Sequence, residues 1–237
     1  MSRRPAVNGL FLTLRDAEVR KDRREIRFYV NFQIPILTIR DQNPLEPREL
    51  LTKSLAEHLE TIQTLTGPLL DEIERAGDLI CQALNNGNKI LLCGNGGSAA
   101  DAQHIAAELV GCYEKQRRSW PAIALTVDTS ALTALSNDFG YEHVFARQVA
   151  GLARAGDVLI AISTSGKSPN VISAVHQAKE LKCFTIALTG AAAEPLASLC
   201  DLAVIIPGNR TSRIQEAHIT IGHLWCEMVD AKTGDGG

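Results

Sequence analysis

No run of apolar residues in this 237-residue chain approaches the roughly 20 that a spanning helix requires. The N-terminus carries Arg3 and Arg4 but lacks an adequate uninterrupted apolar segment behind them, so neither a secretion signal nor membrane insertion is indicated. No CxxC spacing occurs among Cys81, Cys93, Cys112, Cys183, Cys200 and Cys226. They are dispersed and mostly sit inside apolar runs as small hydrophobes do, which fits a reducing cytosol and an expected cytoplasmic location. Strong charge is missing too. A formal net charge of −3 gives no electrostatic reason to expect nucleic acid as a partner. The basic cluster from Arg15 to Arg27 is interrupted by Asp16, Glu18, Asp22 and Glu25 and reads as a solvated face. The G-x-x-x-x-G-K-[ST] spacing is absent, which disfavours a nucleoside triphosphate.

What is present is an ordinary globular composition, 45% hydrophobic and 22% charged, enough for one sizeable core. Residues 1–46 differ from the rest: Arg-rich segments alternate with short β-prone runs between prolines, and a poorly ordered extension is expected there. Residues 47–232 form the expected domain and 233–237 a flexible tail. From Glu49, leucines and isoleucines recur at three- and four-residue steps, and they do so again after Gly67-Pro68, predicting a helical hairpin. Strand-like apolar runs then alternate with helical patterns: Ile90 to Cys93, Pro121 to Val127, Asp157 to Ile162, Phe184 to Leu188 and Leu202 to Ile206, closed by a helix from Ile214 to Asp230. Repeated βα units of this length imply an α/β fold, a five-stranded parallel sheet with helices on both faces. Ligands of such sheets bind beyond the carboxyl ends of the strands.

Two loops satisfy that rule. Gly94-Asn95-Gly96-Gly97 follows the first strand, with Ser98 as a candidate N-cap and a helix from Ala99 to Leu109 behind it. Backbone N–H groups at such a turn suit an anion or a polar sugar. His104 and Glu108, four residues apart, share one face of that helix. Ser163-Thr164-Ser165-Gly166-Lys167-Ser168 follows the third strand and holds four hydroxyls in six positions, just before a helix that opens on Pro169. Hydroxyl and backbone donors at a helix N-terminus suit a phosphate monoester. Asn137-Asp138-Phe139-Gly140 reads as a turn after a helix ending near Ser136, and Tyr141 and His143 as caps of the next helix.

The blocks Cys93-Gly-Asn-Gly-Gly-Ser98, Asp101-Ala-Gln-His-Ile-Ala-Ala-Glu-Leu109, Ser136-Asn-Asp-Phe-Gly140, Ala161-Ile-Ser-Thr-Ser-Gly166 and Thr211-Ser-Arg-Ile-Gln-Glu-Ala-His218, with His223 beyond, resemble the sugar isomerase (SIS) domain family and, within it, the bacterial phosphoheptose isomerases. The resemblance covers roughly Glu49 to Asp230. It implies an SIS-domain three-layer sandwich and an aldose–ketose isomerase that converts sedoheptulose 7-phosphate to D-glycero-D-manno-heptose 7-phosphate, early in the synthesis of ADP-heptose for lipopolysaccharide core. It implies sugar contacts at Asn95, Gly96, Gly97, Asn137 and Asp138, and phosphate contacts at Ser163, Thr164, Ser165 and Ser168. His104, Glu108, Gln215 and His223 match the family's zinc ligands, with Glu108 and Gln215 also near the substrate and Glu108 and His223 as the acid/base pair. A homotetramer is the implied assembly.

Gln215 and His223 are eight residues apart, which is about 12 Å along a regular helix. Both reach one metal only if the helix is interrupted, if Gln215 precedes it, or if His223 comes from another subunit, and the last is the expectation. Relatives commonly have arginine where this chain has Cys112, and Arg117 or Arg118 would have to supply a cationic contact there. Two alternatives stand beside the heptose reading: an isomerase of another sugar phosphate, and a non-catalytic SIS-domain adaptor of the replication initiator.

Overall fold

The computed structural model describes residues 46–233, so the expected N-terminal extension and the tail from 234 lie outside the described residues. Two helices come first, α1 (Pro47–Gln63) and α2 (Pro68–Asn85), each with proline in its opening turn. Five βα-type strands follow: β1 (Ile90–Gly94), β2 (Ala122–Ala124), β3 (Val158–Ser163), β4 (Phe184–Gly190) and β5 (Leu202–Ile206). Between them run α3 (Gly97–Val110), α4 (Thr129–Phe139), α5 (Val144–Leu152), α6 (Pro169–Glu180) and the short α7 (Leu196–Leu199), and α8 (Thr211–Lys232) closes the domain.

All strand pairs are parallel, in the order β2-β1-β3-β4-β5. The three central strands are mostly apolar, β4 interrupted only by the buried Thr185 and Thr189 and β3 ending in Ser163, because both of their faces are covered. Alternation splits their side chains between two cores. Ile90, Leu92, Val158, Ile160, Ile162, Ile186 and Leu188 pack with residues of α2, α3 and α8. Leu91, Cys93, Leu159, Ala161 and Ala187 pack with residues of α5, α6 and α7 on the opposite face. The result is the expected three-layer sandwich. Each fully buried Leu or Ile adds about 1.5–3 kcal/mol, so the two cores hold the sheet, and the loops at its carboxyl edge are free to serve a ligand.

Several boundaries differ from the sequence reading. β2 is only three residues long, not Pro121 to Val127; it is an edge strand, paired on one side. α3 begins at Gly97 with Gly96 as its N-cap, so Ser98 lies inside the first turn and is buried there. α4 continues through Phe139, which places Asn137 and Asp138 in its last turn, where a free turn was expected. None of the residues of α1 is buried, although Leu50, Leu51, Leu55 and Leu59 recur along it and are 52–64% exposed. Polar contacts tie α1 to α8: His58 Nδ1 meets Glu216 Oε2 at 2.7 Å, Arg213 donates to the Ser54 carbonyl, and Arg210 pairs with Glu57. Among the described residues no helix is long and apolar enough to cross a membrane.

Candidate active site

The strand order reverses direction between β1 and β3, which are hydrogen-bonded neighbours, and such a switch point opens a crevice at the carboxyl edge of the sheet. The loops after these two strands are the glycine turn and the hydroxyl-rich turn. They are cross-linked by side chains. Asn95 and Asn170 exchange reciprocal amide hydrogen bonds: Asn95 Nδ2 donates to Asn170 Oδ1 at 2.9 Å, and Asn170 Nδ2 donates to Asn95 Oδ1 at 2.8 Å. Tyr141, from the single 3-10 turn after α4, donates its hydroxyl to Asn95 Oδ1 at 2.9 Å and so draws the end of α4 toward the same crevice. Asn137 and Asp138 are exposed near that end and bond to each other, Nδ2 to Oδ1, at 2.8 Å.

In the second loop Ser163 is buried and its Oγ lies 3.0 Å from Ser168 Oγ. Ser168 is the N-cap of α6, yet its hydroxyl makes no capping bond, which leaves it available within the loop. Ser165 is exposed, Thr164 half-buried, and Lys167 donates its backbone N–H to Ser165 Oγ at 3.3 Å. Hydroxyls grouped at the N-terminus of a 12-residue helix are well suited to an anion.

The histidines come together through the packing of α3 on α8. Gly222 makes that approach possible, since a Cβ there would lie 2.6 Å from Ile105 Cδ1. One residue on, His223 Nε2 meets His104 Nε2 at 2.9 Å, and Glu108 Oε1 lies 3.5 Å from the same His104 nitrogen. Tyr113 stacks on His223, with ring centroids 5.4 Å apart. A contact of His223 with His104 forms within one chain, without a residue from another subunit. Gln215 sits further back on α8. It lies over Gly97, where its amide occupies the space a Cβ would need, and α8 runs unbroken from it to His223.

Whether these residues suit a metal can be judged from the donors. The observed nitrogen spacing is that of a hydrogen bond, and among the described residues no group of three or more His, Cys, Asp or Glu is placed to hold an ion as it stands. Two nitrogens on tetrahedral zinc lie about 3.3 Å apart, only a few tenths of an ångström more. Two imidazoles with a carboxylate one turn away are donors of the right type, so the set of His104, Glu108 and His223 fits zinc.

Burial or pairing sets the state of several further polar groups near the site. Burial pushes the Asp101 carboxyl up to about 6, partly offset by His104 one turn later, and its Oδ2 has no hydrogen-bond partner among the described residues. His218 is fully buried with neither ring nitrogen in a well-formed hydrogen bond among the described residues, and burial, opposed by the nearby Thr189 backbone, pushes its pKa down to about 4. Neither Arg117 nor Arg118 is free to replace the cation that Cys112 lacks. Arg117 is paired with Asp230 at 2.6 Å, both side chains 4% exposed, and Arg118 lies 3.8 Å above the Trp120 ring. Cys112 itself is exposed.

An open parallel sheet with a hydroxyl-rich turn at its switch point is the architecture of a phosphosugar-binding domain, and the SIS domain profile matches residues 53–190, so this is an SIS-domain protein. The phosphoheptose isomerase of a Nitratiruptor species is 56% identical over 182 residues, 77% of this chain and 97% of that one. That of Aliarcobacter butzleri is 52% identical over 183 residues, again 77% and 97%. Among solved structures, phosphoheptose isomerase from Neisseria gonorrhoeae superposes with a TM-score of 0.74 at 46% identity, covering 78% of this chain and 98% of that one. The Francisella tularensis enzyme gives 0.77 at 34%, covering 79% and 100%. The chain belongs to the phosphoheptose isomerase family.

Proposed function

We propose that this chain interconverts sedoheptulose 7-phosphate and D-glycero-D-manno-heptose 7-phosphate, an early step toward ADP-heptose and lipopolysaccharide core. The observation that carries the proposal is the helix that starts at the glycine turn: α3 brings His104 and Glu108 against His223, while the serine loop lies beside that turn across β1 and β3. In the ketose-to-aldose direction a proton leaves C1 and one is delivered to C2, while O1 gives up its hydroxyl proton and O2 takes one. Glu108 and His223 are the proposed acid/base pair, a reading supported by their common approach to His104. Ser163, Thr164, Ser165 and Ser168 take the phosphate, which fixes the far end of the substrate, and the Asn95–Gly97 turn with Asn137 and Asp138 takes its hydroxyls. Gln215, over Gly97, belongs to the substrate side.

Zinc is the proposed cofactor, held by His104, Glu108 and His223, with Gln215 as the fourth family position. When bound it would polarise the carbonyl and so stabilise charge developing on oxygen. A homotetramer is the proposed assembly; the exposed leucine row of α1 supports it, because such a row is better buried against another copy than left in water. Cytoplasmic location is supported by six free thiols, four of them buried. Purified protein with zinc and sedoheptulose 7-phosphate should form the aldose, and five- and six-carbon ketose phosphates should react at least about tenfold more slowly. Silence with every sugar, metal supplied, would sink the isomerase reading.

A further inference from the structure

The Asn95 side chain is almost fully committed before any ligand arrives. Its Oδ1 accepts from Asn170 Nδ2 at 2.8 Å and from the Tyr141 hydroxyl at 2.9 Å, which uses both lone pairs, and its Nδ2 gives one proton to Asn170 Oδ1 at 2.9 Å. One N–H remains.

The orientation of this amide does not depend on how oxygen and nitrogen were assigned in either side chain. Asn170 is 2% exposed, and the Val171 backbone N–H points at its Oδ1 at 3.0 Å. A backbone N–H can only donate, so the atom facing it must be the oxygen. That puts Asn170 Nδ2 against Asn95, and the atom of Asn95 facing it must in turn be an oxygen. The backbone of α6 thereby dictates, through two side chains, which edge of Asn95 is left over. Tyr141, reaching across from the far side of α4, holds the same oxygen a second time.

We propose that Asn170 and Tyr141 are positioning residues that lock the Asn95 amide so that it offers the crevice a single N–H donor and no acceptor. Resting on the isomerase reading, the inference assigns that donor to a carbonyl or hydroxyl oxygen of the sugar, and it makes the glycine turn selective for an oxygen that accepts. Nothing in the turn itself would do this, since a free asparagine presents either edge by rotating about χ2. The lock also fastens the sugar-side loop to the first turn of the phosphate-side helix, so the spacing between the two ends of the substrate is set by a pair of amides.

Tyr141→Phe tests the lock with little risk to folding, because Tyr141 is 55% exposed and only its hydroxyl is lost. It should raise KM for sedoheptulose 7-phosphate, and the Kd of that sugar phosphate by calorimetry, by about 3- to 10-fold with kcat within about twofold. Asn170→Asp removes the donor to Asn95 Oδ1, so the Asn95 amide turns its oxygen outward; KM and Kd should rise at least about 10-fold. In an Asn95→Ala background Tyr141→Phe should have no further effect, a non-additivity that a merely structural role would not produce. Wild-type KM and Kd in Tyr141→Phe, or full additivity with Asn95→Ala, would overturn the inference. Absence of turnover in the wild type would instead overturn the isomerase reading, and the Kd series alone would then decide the lock.

Discussion

Arg117→Ala should cost far more than a typical surface substitution. The guanidinium pairs through Nε with Asp230 Oδ1 at 2.6 Å and donates to the carbonyls of Glu108, Leu109, Gly111 and Arg118 at 2.9–3.3 Å. It thus caps the C-terminal end of α3, where unpaired carbonyls and the helix dipole favour a cation, and ties that end to α8. Breaking a buried ion pair costs about 3–5 kcal/mol. Asp230 would keep the backbone N–H groups of Glu114 and Lys115 at 3.0 and 3.1 Å, so the lower figure, about 3 kcal/mol, is expected. For a domain of this size that is a fall of roughly 6–12 °C in Tm. Arg117→Lys should rescue little, because a point charge cannot make the forked contacts. The pH dependence has a definite sign. Although burial opposes it, hydrogen bonds from Arg117, Glu114 and Lys115 hold the Asp230 carboxyl below its usual range. Its contribution is complete above the unfolded carboxylate value near 4 and is lost as pH falls through the lowered folded value, so the gap between variant and wild type should be constant from about pH 8 to 5 and shrink below about 4. Calorimetric unfolding across that range is the assay. A gap under about 1 kcal/mol at pH 7, or one that widens in acid, would refute the reasoning.

His223→Gln should lower turnover by at least about 10²-fold with the thermal transition retained, since imidazole acid/base chemistry is lost; near-normal turnover in a folded variant would remove His223 from the chemistry. Ser168→Ala takes away a hydroxyl that does no capping but bonds the buried Ser163 hydroxyl at 3.0 Å, so it should raise KM with kcat nearly unchanged and lower stability by about 1–3 kcal/mol, which steady-state kinetics and a melting curve read separately. His218 has a folded pKa of about 4 against an unfolded value of 6.5, so the unfolded chain gains a proton first as pH falls, and about 3 kcal/mol of stability should disappear between pH 6.5 and 4. His218→Leu should flatten that part of the stability profile in denaturant titrations; an unchanged slope would show that other groups cause it.

The strands of this fold were legible because a segment buried on both faces has to be apolar throughout, as Ile90 to Cys93 and Val158 to Ile162 are. Both ligand loops were legible for a related reason: glycines and hydroxyls concentrate where a strand ends and a helix begins. The edge strand β2 was overextended because Leu125 and Thr126 continue an apolar, β-prone run that no second neighbour holds in the sheet. Ser98 was misplaced as a cap because the left-handed turn at Gly96, φ 56°, starts the helix one residue before it. What the sequence concealed was tertiary. Asn170, Tyr141 and Arg117 are single polar residues in ordinary surroundings, and their roles come from partners 75, 46 and 113 positions away. The separation of Gln215 from His223 was read correctly as a helical rise, and the packing of α3 on α8 is what brings His223 to His104.

The unbroken course of α8 makes its residue count a fixed dimension in the engineering sense. Gln215, His223 and Asp230 sit on it at set intervals, each facing a different partner: Gly97, His104 and Arg117. One residue inserted between Gln215 and His223 turns everything downstream by about 100° and advances it by about 1.5 Å. His223 would leave His104, Asp230 would leave Arg117, and Trp225, Cys226 and Val229 would turn out of the core in the same step. Insertions before Arg210 displace no such contact along the rod, so the segment joining β5 to α8 is where chain length can vary and the helix itself is where it cannot.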